Sequence, residues 1–163
     1  MYFSSLINNV IRPIDSLELN FDSSLKLPNI GTRLPHGRLI AHGSLGDDVA
    51  HQAEGGVIIV YGDVGDSAAS YMNLTRLMIV GSAGSSFAYR MRGGQGRVVG
   101  HAGPNLANHI SGGAVRVEST DTSLEELMTR SGGSRIYVGS SVIPTGKMPP
   151  SVWETTTPSA ASE

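Results

Sequence analysis

Gly43-Ser44-Leu45-Gly46, Gly62-Asp63-Val64-Gly65, Gly81-Ser82-Ala83-Gly84 and Gly100-His101-Ala102-Gly103 open four consecutive segments, each about 19 residues after the last. Self-similarity at a fixed period is the mark of a repeat architecture, in which every repeat contributes the same piece of a continuous core.

Stacked at that offset, the chain sorts into columns. Leu39, Ile58, Leu77, Gly96 and Val115 form one, and Ala41, Val60, Ile79, Val98 and Val117 form a second, two residues further on. Between and after them run Ile40, Ile59, Met78, Arg97, Arg116 and His42, Tyr61, Val80, Val99, Glu118, where apolar and polar groups mix. Period-two alternation of this kind predicts one strand per coil with alternate residues facing inward. Leu45, Val64, Ala83, Ala102, then Val49, Ala68, Phe87, Leu106, then Ala53, Met72, Met91, Ile110 make three more apolar columns, so each coil must turn repeatedly around one core. The period is too short for a propeller blade of roughly 40 residues and lacks the leucine and asparagine pattern of leucine-rich repeats. These columns predict an all-β fold, a single-stranded right-handed parallel β-helix of about 19 residues per coil, with rungs ~4.8 Å apart.

The glycines at 43, 46, 62, 65, 81, 84, 100 and 103 read as corners, where φ is positive or where neighbouring backbones leave no room for a Cβ. Outside the repeats, residues 1–36 are expected to cap the first coil, with Leu17, Leu19 and Phe21 alternating as in a strand. The repeats run over 37–143. After Glu118 the register slips. Ser123 to Met128 reads as a short helix with Ser123 and Glu126 in capping-box spacing, and the strand pattern resumes one or two residues late at Gly132-Gly133-Ser134-Arg135-Ile136. Residues 144–163 read as a tail with little capacity to fold alone. Within it, Trp153 is either an anchor onto the last coil or a partner-binding residue.

Composition narrows the function classes. The 163 residues include 21 glycines without a three-residue period, and a net charge of −2 on 12 Lys+Arg offers no basic stripe for nucleic acid. Absence of cysteine removes thiolate nucleophiles and cysteine-based metal sites. No apolar run approaches the ~20 residues of a membrane span, and no basic leader precedes the first apolar patch, so a cytoplasmic protein without membrane contact is expected.

At Gly81-Ser82-Ala83-Gly84-Ser85-Ser86-Phe87, Met91-Arg92-Gly93-Gly94 and Ile110-Ser111-Gly112-Gly113 the chain resembles the GXGXG repeat superfamily. That superfamily comprises the C-terminal β-helix domain of the glutamate synthase large subunit, its stand-alone relatives, and the β-helical subunit of formylmethanofuran dehydrogenase. The resemblance covers about Gly37 to Gly139. Alanine replaces the third glycine of each signature at Ala50, Ala69, Ala88 and Ala107, which predicts a buried position that wants a small side chain and avoids positive φ. Leu74-Thr75 stands where other coils carry Gly55-Gly56, Gly93-Gly94 and Gly112-Gly113, so that corner should differ. The resemblance implies a non-catalytic structural or assembly domain that packs against catalytic partners or itself, with a place in an oxidoreductase or one-carbon enzyme complex as one form of it. Around Gly37 to Gly62 the coils are also similar to the C-terminal domain of the division inhibitor MinC, a β-helical protein-binding module.

No catalytic residue, metal ligand set or cofactor motif is assigned. His36, His42, His51, His101 and His109 share no column and no His-x-x-x-His spacing. Serines are abundant, but no Gly-x-Ser-x-Gly elbow is present. Asp47, Asp63 and Asp66 sit beside corner glycines in only some coils, which favours capping of turns over calcium binding. Gly93-Gly94-Gln95-Gly96-Arg97 lacks the Lys-Ser/Thr and helix of a phosphate loop. The outward column Ile40, Ile59, Met78, Arg97, Arg116 is the better candidate, a protein interface unless the N-terminal segment covers it, and a protein partner or homo-oligomer is expected.

Overall fold

The computed structural model describes residues 15–130 and 133–145; the Trp153 assignment and most of the tail lie outside them. Eight strands form one sheet in chain order: β1 (Ser16–Asn20), β2 (Arg38–His42), β3 (Val57–Tyr61), β4 (Arg76–Ile79), β5 (Gln95–Ala102), β6 (Gly113–Thr120), β7 (Ser134–Val138) and β8 (Ser141–Ile143). β1 to β7 pair in parallel, each with its sequence neighbour, so the chain is a β-solenoid with one principal strand per turn. Arg38, Val57, Arg76 and Gln95 stand side by side at 19-residue steps, as the glycine period requires.

All five predicted apolar columns face a single buried cluster, from Leu39 and Ala41 to Val115 and Val117. The solenoid begins before the repeats. β1 pairs with β2, and the loop after it continues the coil: the amides of Gly46, Ala50 and Glu54 donate to the carbonyls of Leu27, Ile30 and Leu34, one coil earlier. Ile30 and Leu34 are buried in the same columns as Val49 and Ala53. Of the segment expected to cap the stack, residues 15–36 thus form a coil themselves, lengthened by the turn at Asp22 to Ser24. There the Ser24 hydroxyl and amide both donate to the Asp22 carboxylate and hold its pKa below the ordinary value.

The other end is closed by different means. Ser134 pairs with Gly113, two residues late, and the slack is taken up by the helix α1 (Leu124–Met128) with its reciprocal Ser123–Glu126 capping box. Leu127 is buried in the core, and β8 folds back antiparallel on β7, which ends parallel stacking.

Each coil also repeats a strained segment. Three residues spaced two apart adopt left-handed φ in every one of five coils, for example Ser67, Ala69 and Tyr71 at 59°, 62° and 56°. The alanines at 50, 69, 88 and 107 are buried as expected, but they occupy positive φ rather than avoiding it. Hydrogen bonding over-determines them: the Ala69 amide donates to Val49 in the coil before, while those of Ser67 and Tyr71 donate to Ser85 and Tyr89 in the coil after. A backbone tied alternately to both neighbours cannot relax to the cheaper conformation.

Candidate functional site

Three differently dressed surfaces run along the solenoid, one for each outward feature of the coil.

On the sheet, the interface column stands in register as Glu18, Ile40, Ile59, Met78, Arg97, Arg116 and Tyr137. Ile40, Ile59 and Met78 are half-buried, Arg97 and Arg116 are exposed, and the Arg116 guanidinium lies 4.7 Å over the Tyr137 ring. The next column carries His42, Tyr61, Val80 and Val99. His42 stacks on Tyr61 at 5.1 Å and reaches the Glu18 carboxylate at 2.5 Å. Tyr61, Val80 and Val99 are 48%, 36% and 39% exposed, so an apolar strip spans three successive rungs in open solvent.

At the glycine corners the acids serve the backbone. Asp47, Asp63 and Asp66 accept from the amides of Asp66, Ser82 and Ser85 at 2.7–2.8 Å, each 19 residues later. Ser44 and Ser82 do the same toward Asp63 and His101. The predicted capping role is what the geometry shows, and it accounts for three of the corner glycines, the rest being crowded mainly by the backbone of the preceding coil. Of the eight, only Gly43 has positive φ; at Gly65, Gly81 and Gly84 a Cβ would collide with the carboxylate that caps the next coil. Among the described residues, no group of three His, Asp or Glu is placed to hold a metal ion.

His101 bridges Ser119 at 2.9 Å through Nδ1 and Asp121 at 3.0 Å through Nε2. This has the membership of a hydrolytic triad, but the Asp is exposed and cannot hold the imidazole in a desolvated site. These bonds span the place where the β5–β6 register shifts between Val98 and His101, and they tie that irregularity down.

The third surface was not legible as a site from single columns. Outward residues Arg33, Gln52, Tyr71, Arg90 and His109 form one column, and Glu54, Asn73, Arg92 and Ser111 form another two residues on, separated by the buried Ala53, Met72, Met91 and Ile110. Between the two outward columns lies a trough. One depression, about 570 Å³, is lined by Arg33, Glu54, Tyr71, Leu74 and Arg92 among others, and a second, about 310 Å³, by Tyr71, Arg90, Arg92 and His109. Arg92 crosses between them with its guanidinium 5.8 Å over the Tyr71 ring, and Arg90 sits 6.0 Å over Tyr71 and 5.4 Å over Tyr89. A zigzag of rings, His51, Tyr71, Tyr89 and His109, packs edge to face at 5.6–5.9 Å along the wall. The histidines share no column, as expected, yet two tyrosines join His51 to His109. Beyond His109, Arg130 donates to the Leu106 carbonyl and the Asn108 side chain, and burial lowers its pKa from the ordinary value, with Glu126 opposing.

The corner at Leu74-Thr75 borders this trough. Gly37, Gly56, Gly94 and Gly113 turn there with positive φ, whereas Thr75 does not; it buries its hydroxyl against the Gly55 carbonyl. Leu74 is pushed out to 74% exposure, the highest of the large apolar residues described.

Fold and surfaces together define a class: a parallel β-solenoid whose capped coils present an apolar sheet face on one side and a basic, aromatic trough on another. Compared with protein-family models, with curated proteins and with solved structures, the chain matches none. No helix among the described residues is long and apolar enough to cross a membrane.

Proposed function

We propose that this chain is a non-catalytic structural or assembly module of the cytoplasm that docks through the outward face of its sheet. The observation that carries the reading is the strip Tyr61, Val80 and Val99, exposed on consecutive rungs beside Ile40, Ile59 and Met78. A preformed apolar surface needs no ordering before it binds, and aromatic residues concentrate binding energy. The resemblance to the GXGXG domains of glutamate synthase and formylmethanofuran dehydrogenase supports the same role.

The order of charges along the face favours a second copy as the occupant. The column reads acid, three apolar residues, then two bases, Glu18 to Arg116. A copy turned end for end about Ile59 sets Glu18 opposite Arg97 and Ile40 opposite Met78, the self-complementary arrangement of a two-fold interface. Sedimentation equilibrium tests it. A dimer that Met78→Asp or Tyr61→Asp dissociates, with unfolding midpoint retained, supports the pairing; a monomer across the micromolar range, or a dimer indifferent to both variants, refutes it.

A further inference from the structure

The trough is independent of the sheet face, and its chemistry points to a small ligand. Arg90 and Arg92 are both exposed, their guanidinium carbons lie 6.0 and 5.8 Å from the centre of the Tyr71 ring, and among the described residues neither forms an ion pair with a carboxylate. A cation–π contact uses none of a guanidinium's N–H donors, so two such side chains without acid partners keep the planar fork that suits oxyanions. Among the described residues Glu54 is the one acid lining either depression; it shares the larger one with Arg92 and is absent from the smaller one, which Arg90 and Arg92 both line.

The rest of the lining supplies the other half of a ligand site. Tyr71 is shared by both depressions, and Leu74, exposed at the adjoining corner, lines the larger one beside it. Two adjacent cations therefore border an apolar, aromatic shelf. A carboxylate would satisfy one guanidinium and leave the second unmatched, whereas a phosphate monoester, near two negative charges with three acceptor oxygens, matches both.

We propose that this trough binds an aromatic phosphate monoester, its phosphate on Arg90 and Arg92 and its flat body against Tyr71 and Leu74. The phosphate could be presented by a nucleotide or by a simpler aryl phosphate; the chemistry recognised is the same.

Titration of the ¹⁵N-labelled full chain followed by NMR tests this with four probes: phenyl phosphate, adenosine monophosphate, inorganic phosphate and benzoate. Phenyl phosphate is expected to give saturable shifts confined to residues around Tyr71, Leu74, Arg90, Arg92 and His109. Inorganic phosphate and benzoate, each lacking one half of the match, should bind about tenfold or more weakly. Adenosine monophosphate binding tighter than phenyl phosphate identifies a nucleotide as the source, and the reverse order identifies a simpler aryl phosphate. Arg90→Gln with Arg92→Gln should weaken phenyl phosphate at least about tenfold while leaving amide shifts elsewhere unchanged. Leu74→Ala should weaken phenyl phosphate without affecting inorganic phosphate. The proposal fails if no probe saturates, if the double variant binds as the parent does, or if the shifts fall equally on Arg97 and Arg116 of the sheet face.

Discussion

The ring of Phe87 occupies the space that a side chain at Gly96 would need: its Cζ and Cε1 lie 3.0 and 3.1 Å from where the Gly96 Cβ would stand. The two residues belong to different inward columns of neighbouring turns of chain, and their volumes trade off. The next coil makes the opposite choice with Leu106 and Val115 in the same two columns, both buried. A core packed to crystal density permits such exchange only in pairs. Phe87→Ala should therefore cost about 3–5 kcal/mol and Gly96→Val about 1–3. Phe87→Leu combined with Gly96→Val reproduces the pair of the following coil and should cost at least about 1 kcal/mol less than the sum of the singles. Urea unfolding of the four-member cycle measures the coupling; additive effects would show that the columns pack independently.

Ala68 and Ala69 are adjacent and equally buried, but only Ala69 has positive φ, at 62°. Removing the methyl costs each about 0.8 kcal/mol of burial and adds unfolded-chain entropy of about 0.4–1 kcal/mol. At Ala69, release from the left-handed region returns about 1–2 kcal/mol. Ala68→Gly should therefore lower stability by about 1–2 kcal/mol while Ala69→Gly is close to neutral. Equal losses at the two sites, read from urea midpoints, would mean that the neighbouring coils impose no strain at Ala69.

The corner glycines and the aspartates act as a unit. The Asp66 carboxylate accepts from the Ser85 amide at 2.7 Å and fills the space beside Gly84. Asp66→Asn keeps an acceptor and should be near neutral, whereas Asp66→Ala leaves the amide to water and should cost about 1 kcal/mol. Gly84→Ala should cost about 2 kcal/mol or more, and Asp66→Ala should rescue it only in part. The added Cβ also meets the backbone of Gly65 and Asp66 at 2.9 and 3.0 Å, which no side-chain change can clear. Full rescue in the double variant would make the carboxylate the sole obstacle.

The fold was legible because its information is periodic: five apolar columns and eight glycines repeat at one offset, and stacking at that offset is the fold. What escaped was aperiodic or two columns wide. The trough draws on Tyr71 and Arg90 in one column and on Arg92 in the next, across two adjacent coils, and Tyr71 meets Arg92 diagonally, so neither column alone displays all three. Sorting the outward residues at 33, 52, 71, 90 and 109 as the inward ones were sorted would have shown a column of two arginines, a glutamine, a tyrosine and a histidine. The left-handed alanines were misjudged for another reason. Intrinsic preference argues against positive φ for alanine, and only hydrogen bonds to both adjacent coils overrule it. The substitution Leu74-Thr75 was visible in sequence; Thr75 does not take the positive φ of the glycines at that corner, and Leu74 stands exposed on the trough rim.

The helix α1 has a local task at the end of the stack, covering the last coil where no further parallel strand follows. Its capping box is worth about 1 kcal/mol, so Ser123→Ala should loosen it modestly. Leu127, buried in the core cluster, contributes more, and Leu127→Ala should cost about 2–5 kcal/mol. In a solenoid each coil contacts only its neighbours, so the damage should stay near that end. Amide exchange is then expected to accelerate in β6, β7 and β8 while β2 to β4 keep their protection. Uniform acceleration from β2 through β8 would instead show that the solenoid opens as one cooperative unit and that α1 stabilises the whole of it.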